Sequence, residues 1–164
     1  MRRIWIVAMF LLVVSMGAFA ADCDKAIEGV RDSWLTAWKA KQLDEVMKLY
    51  AEDATLLSPD GHLHVGRTQI RAYFKTSIDS VTAVFVQPAG VVCSSFTGYD
   101  TGTYSQTISK PGGGMGGKAG KGGKAGMGGG GGTSTEQGNY AVTLRQESGK
   151  WQIVQHANVH SEWP

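Results

Sequence analysis

Charge is scarce in this 164-residue chain, and cysteine is scarcer. Asp, Glu, Lys and Arg make up 18% of the residues, and Cys23 and Cys93 are the only cysteines. Two distant thiols fall short of the four ligands that a structural zinc site takes. Long apolar runs are missing too. The longest, Ile4 to Val14, has 11 residues, against the roughly 20 needed to span a bilayer. No Ser-His-Asp or Cys-His nucleophile set stands at a recognisable spacing.

What is present begins with an address. Met1-Arg2-Arg3, the short apolar run and Ala18-Phe19-Ala20 form the charged, apolar and small-residue parts of a secretory signal peptide. Residues 1–20 are therefore expected to be removed, leaving one domain over 21–164 that is periplasmic or secreted. The whole chain carries 16 basic and 14 acidic side chains, and losing Arg2 and Arg3 leaves 14 of each. A neutral mature chain gives no electrostatic footprint for nucleic acid, and no membrane association is expected after cleavage. Disulfides persist in an exported protein's compartment. A Cys23–Cys93 bridge is expected, closing a loop of about 70 residues and contributing roughly 4 kcal/mol on the chain-entropy picture. The alternative is two separate thiols, one in a strand and one on a frayed terminus.

Apolar spacing predicts a helix from Asp24 to Lys41, with Ile27, Val30, Trp34, Ala37 and Trp38 on one stripe. A second helix is read over Leu43–Tyr50 and a third over Arg67–Ile78. Short strands are expected at Ala54–Leu57 and His62–Val65, around the turn Ser58-Pro59-Asp60-Gly61. Val81–Val86, Val91–Phe96, Tyr99–Ile108, Tyr140–Gln146 and Trp151–His160 then read as strands, being rich in β-branched and aromatic residues. Helices followed by strands predict an α+β fold with an antiparallel sheet.

One segment stands outside this scheme. Between Gly112 and Gly132, 14 of 21 residues are glycine, with Lys118, Lys121 and Lys124 among them. It has no apolar face to offset the ordering of its backbone. It is read as a flexible insertion, bounded at 111–134, in a hairpin between two strands. Long loops add little closure entropy. Its glycine–lysine pairs lack the strand–loop–helix setting of a phosphate-binding loop.

Trp34-Leu35-Thr36-Ala37-Trp38, Leu43 to Ala54, Gly66 to Phe74, Asp100-Thr101-Gly102-Thr103-Tyr104 and Gly149 to His156 together resemble the nuclear transport factor 2-like superfamily. Within it, they resemble the SnoaL-like proteins and the association domain of calcium/calmodulin-dependent kinase II. The resemblance implies a strongly curved, cone-shaped antiparallel sheet wrapped around N-terminal helices, with a pocket inside. It also implies homodimers or larger assemblies formed through the sheet. Activity is not implied, because the fold serves isomerases, cyclases, dehydratases, hydrolases and simple binding modules alike.

Ketosteroid isomerases of this superfamily use a carboxylate base and two acidic donors. Alignment on the helices puts Trp34 at one donor, Ser58 at the base and a position near Ala141 at the other donor, so that chemistry is not expected. His156 is the weak catalytic candidate, since imidazole titrates near neutrality. His62 with His64, and His156 with His160, alternate on strand faces, but no metal or cofactor is assigned. The expected pocket is lined by Trp34, Trp38, Tyr50, Tyr104, Arg145 and His156. Its ligand is expected to be a small organic molecule, with a carboxylate the natural partner of the Arg145 guanidinium. The functional expectation is thus an exported binding and assembly module, with an enzyme or a purely structural domain as alternatives.

Overall fold

The computed structural model describes residues 22–109 and 132–161. The signal segment, the glycine-rich stretch and the last three residues lie outside it. The chain runs α1 (22–39), α2 (Leu43–Lys48), β1 (Tyr50–Leu57), β2 (Leu63–Val65) and α3 (Arg67–Ser77). It then continues through β3 (Val81–Cys93), β4 (Thr97–Ser109), β5 (Thr133–Glu147) and β6 (Lys150–His160). The six strands form one sheet in the order β2-β1-β6-β5-β4-β3. Only β1 and β6 run parallel, and the helices pack against the sheet. This is the expected α+β arrangement.

The α1 stripe buries Ile27, Ala37 and Trp38. The helix stops because Lys41 turns into the left-handed region at φ 60°. The Gln42 amide then donates to Ala37 O at 2.9 Å and the Lys41 amide to Trp38 O at 3.0 Å. These two bonds satisfy carbonyls that the helix end would otherwise leave open. Lys41 Nζ reaches on to the carbonyls of Ile78 and Val81, tying the end of α1 to the junction of α3 and β3. At its other end α1 is anchored by a Cys23–Cys93 disulfide, with Cα atoms 5.9 Å apart. Ile27 lies so close over Gly98 that a Cβ there would fall 2.5 Å from its Cδ1.

Three elements differ from the sequence reading. Tyr50, expected at the end of a helix, is the first residue of β1; its spacing from Val46 fits both periods, and α2 ends at Lys48. The two strands expected around Pro88 are one strand, β3, with a register shift between Pro88 and Gly90. β3 lies at the sheet edge, where a proline without an N–H is tolerated. The β4–β5 pairing runs out to Ser109↔Thr133, so the glycine-rich stretch joins two paired strands. The expected insertion bound of 134 reaches two residues into β5.

Alternation decides what faces the helices. Asp100 and Tyr104 on β4, and Tyr140 and Leu144 on β5, are buried at even spacing. On β6, Ile153 and His156 are both buried although they stand three positions apart, an odd spacing. A register shift opposite Thr143 and Leu144 places the extra residue, as a β-bulge does.

Candidate functional site

Between α1, α3 and the inner sheet face lies a cavity with about 870 Å³ of empty space, its mouth included. Its walls are mostly apolar. Trp34 and Trp38, one turn apart on α1, stack with ring centroids 4.9 Å apart. Phe74 of α3 meets Trp38 edge-on at 5.0 Å. Val84, Val86 and Val142 close the sheet side.

Two polar systems interrupt this surface. The first is a directed chain. Trp34 Nε1 donates to Tyr50 Oη at 3.2 Å. Tyr50 Oη lies 2.6 Å from His156 Nδ1, and His156 Nε2 lies 3.2 Å from Asn158 Oδ1. The indole can only donate, and the amide oxygen can only accept. The consistent assignment therefore has Tyr50 donating to Nδ1 and a neutral imidazole donating from Nε2. Burial holds the His156 pKa down at about 4 and pushes the Tyr50 phenol well above its usual value. Both ring nitrogens are engaged and the ring stays neutral, so His156 is a wall and positioning group in this arrangement.

The second system is a buried ion pair. Arg31 Nη1 donates to Asp100 Oδ1 at 3.0 Å, and Tyr140 Oη donates to the same oxygen at 3.2 Å. Asp100 is 3% exposed. Desolvation raises its pKa, with Arg31 and Tyr140 opposing the rise. The Tyr140 phenol is pushed up to about 12, first by its own burial and then by the neighbouring carboxylate. Arg31 and Asp100 therefore neutralise each other at the cavity wall.

Of the expected pocket residues, Trp34, Trp38, Tyr104 and His156 line the cavity. Tyr50 stands behind them, fully buried, and supports His156. Arg145 is on the other side of the sheet, which corrects the expectation for that residue. Tyr140, Val142 and Leu144 take the inner face, and the period of two turns Arg145 outward. There its Nη2 pairs with Asp53 Oδ1 at 3.1 Å and its Nε with Glu147 Oε1 at 2.7 Å. The carboxylate expectation loses its cation with this placement, because the guanidinium that lines the cavity, Arg31, is already held by Asp100.

Sequence reasoning missed Arg31, Asp100 and Tyr140. A signal existed: Arg31 lies on the apolar stripe of α1, four residues after Ile27 and three before Trp34. A charge on a buried stripe asks for a buried partner.

The three positions aligned with isomerase groups are otherwise employed. Trp34 donates to Tyr50, and Ala141 faces outward. Ser58 is buried, with Oγ 2.5 Å from Asp60 Oδ1 and 3.2 Å from His64 Nε2. His64 stacks on Tyr73, while Asp60 contacts Ser58 and His62. No described carboxylate orients the His64 ring, so the link between base and orienting acid that activates a serine is missing. His62 and His64 are held by different partners, and among the described residues no three His, Cys, Asp or Glu side chains are grouped to hold a metal ion.

The sequence model of the SnoaL-like domain matches residues 32–152. A ketosteroid isomerase-like protein from Erwinia carotovora atroseptica has a similar structure, with TM-score 0.67 and 16% identity over 85% of this chain and 97% of that one. A protein assigned to the calcium/calmodulin-dependent protein kinase II association domain, from Xanthomonas campestris, aligns with TM-score 0.59 and 21% identity over 84% and 87%. An NTF-2-like protein of unknown function from Shewanella oneidensis aligns with TM-score 0.58 and 17% identity over 82% and 97%. None of the curated proteins matches the sequence.

Proposed function

We propose that this chain, which belongs to the SnoaL-like family of the nuclear transport factor 2-like superfamily, is an exported module that holds a small apolar organic molecule and self-associates. The observation that carries the binding reading is the cavity between α1, α3 and the inner sheet face. It is aromatic-walled and lined by polar groups that are largely paired with one another. Ligand sites have this constitution: apolar walls and a few placed polar groups. An enzyme reading through His156 has less support, because its ring is neutral and bonded at both nitrogens.

Self-association is supported by the outer sheet face. Tyr99, Thr101 and Thr103 on β4 and Asn139 and Ala141 on β5 are exposed and uncharged, and a similar structure is assigned to an association domain. Export is supported by the signal-like N-terminus together with the Cys23–Cys93 pairing. Native mass spectrometry of the purified protein tests the reading. The expected result is a dimer or larger assembly that carries a small organic mass, released when the spray conditions denature the protein. A monomer that arrives bare and takes up no added aromatic compound would overturn it.

A further inference from the structure

The Arg31–Asp100 pair is made through one atom of each side chain. Arg31 Nη1 donates to Asp100 Oδ1 at 3.0 Å, and Tyr140 Oη donates to that same oxygen at 3.2 Å. Guanidinium–carboxylate pairs are frequently two-pronged, and this one is not. Among the described residues nothing donates to Asp100 Oδ2, and nothing accepts from Arg31 Nη2. Asp32 Oδ1 stands 3.9 Å from Arg31 Nε, beyond hydrogen-bond reach. Each unpaired atom is joined through a single carbon to one of the bonded atoms, so the two belong to groups already in contact.

They are open as well as unpaired. Trp38 Nε1 and Tyr104 Oη also lack partners, but they are sealed inside the packing, where no ligand reaches them. Asp100 Oδ2 and Arg31 Nη2 are not sealed in this way, and both residues line the cavity. Three elements fix the pair in the wall. Trp34 and Leu35 follow Arg31 by three and four residues of α1 and flank it on the cavity face. Asp100 is on the inner face of β4, two residues before Gly102. Tyr140 stands opposite Gly102 on β5, where a Cβ would fall 2.7 Å from the tyrosine Cε1. The missing side chain lets the ring lie across β4 with its hydroxyl on Asp100. With both donors on Oδ1, the carboxylate keeps the acceptor capacity of its other oxygen. Leaving that capacity unused so far from solvent costs the desolvation of a charged group.

We infer that the cavity takes an uncharged, largely apolar molecule bearing a hydroxyl, which donates to Asp100 Oδ2 and accepts from Arg31 Nη2. This rests on the binding reading above and specifies its ligand class. A hydroxyl carries a donor and an acceptor on one atom, the match for an open carboxylate oxygen beside an open guanidinium N–H. An ether or ketone oxygen would engage Arg31 and leave Oδ2 unpaired. An anion would be desolvated beside Asp100, and a cation beside Arg31, at a cost no neutral molecule bears. The stacked Trp34–Trp38 pair supplies a flat apolar surface for the rest of the molecule.

Isothermal titration calorimetry on the purified protein tests this with four probes: 2-naphthol, its isostere 2-methylnaphthalene, the methyl ether 2-methoxynaphthalene, and 2-naphthoate. In the wild type, 2-naphthol is expected to bind at least as tightly as 2-methylnaphthalene, and more tightly than 2-naphthoate. A hydroxyl buried without partners would instead weaken binding roughly tenfold or more, and that result would overturn the assignment. The same titrations are made into Arg31→Met with Asp100→Leu, shown to be folded by thermal unfolding. There 2-naphthol is expected to weaken relative to 2-methylnaphthalene by roughly tenfold or more, the range of a hydrogen bond to a charged group. The methyl ether, which accepts but does not donate, is expected to lose less. Equal changes for 2-naphthol and 2-methylnaphthalene would overturn the hydroxyl site while leaving the binding cavity standing. Equal losses for 2-naphthol and its methyl ether would overturn the bond to Asp100. Tightest binding by 2-naphthoate would overturn the neutral class. If the double variant does not fold, the wild-type order decides alone. Failure of all four probes to bind wild type would overturn the binding reading itself.

Discussion

Asp100→Asn is the substitution whose cost the structure sets most sharply. The asparagine keeps the shape and keeps an oxygen for Tyr140 Oη and Arg31 Nη1, but it removes the charge that matches the guanidinium. The Arg31 side chain is 14% exposed and that of Asp100 4%, so little solvent reaches either to screen the loss. Removing one partner of a buried pair costs about 3–5 kcal/mol, because the other charge is left uncompensated. The retained amide oxygen and the residual exposure of Arg31 place the expectation at the lower end, about 3 kcal/mol. For a domain of this size that is a fall in Tm of roughly 6–12 °C. Replacing both residues, Arg31→Met with Asp100→Leu, is expected to recover most of the loss, since well-packed apolar groups often substitute for a buried pair. Urea unfolding followed by circular dichroism gives the single and double variants in one cycle. If Asp100→Asn stays within about 0.5 kcal/mol of wild type, the usual span of surface substitutions, or if the double variant is the sum of two large losses, the pair is not the buried, coupled unit described.

His156 has a folded-state pKa near 4 against an ordinary 6.5, so the unfolded chain takes up its proton first. The stability this contributes is present above pH 6.5 and is lost as pH falls towards 4, by up to about 3 kcal/mol. Urea midpoints between pH 7.5 and 4.5 should fall accordingly, and in His156→Gln they should fall much less. The shifts of Asp53 and Asp60 are downward from 3.8, so their losses lie below this range. Reducing Cys23–Cys93, or replacing both cysteines by serine, should lower stability by roughly 4 kcal/mol for a loop of this length; an unchanged midpoint under reductant would rule that out. Replacing residues 110–132 by Asn-Gly between Ser109 and Thr133 should leave Tm within a few degrees. A large drop would show that the glycine-rich stretch contributes packing its composition does not suggest.

Much of this was legible because periodicity reports burial. The α1 stripe placed Trp34 and Trp38 correctly on the helix face that meets the sheet, and the order of helices and strands gave the fold class. The site was less legible, for reasons of parity and pairing. Arg145 alternates with three apolar neighbours, so the rule that buried them turned it outward. On β6 the bulge breaks alternation, and Ile153 and His156 share a face that spacing alone would deny them. Tyr50 fits the helical stripe of Val46 and Leu49 as well as it fits a strand start; its role appears only when Trp34 and His156 meet on either side of it. Arg31 and Asp100 are 69 residues apart; the place of Arg31 on the apolar stripe asks for a buried partner, but only the topology that sets α1 over β4 makes Asp100 that partner. Tyr104 and Trp38 read as pocket wall from sequence. That their polar atoms lack partners is visible only once every neighbour is in place.

The most direct test of the account is whether an apolar molecule occupies this cavity and no other surface. Calorimetric titration of 2-isopropylnaphthalene into wild type and Val86→Trp, with thermal unfolding to confirm that the variant folds, addresses it. Val86 lines the cavity, and an indole there would take the ligand's place. The account predicts saturable binding at one site per chain in wild type and its loss in folded Val86→Trp. Absence of binding to wild type, or binding that survives the substitution undiminished, would contradict it.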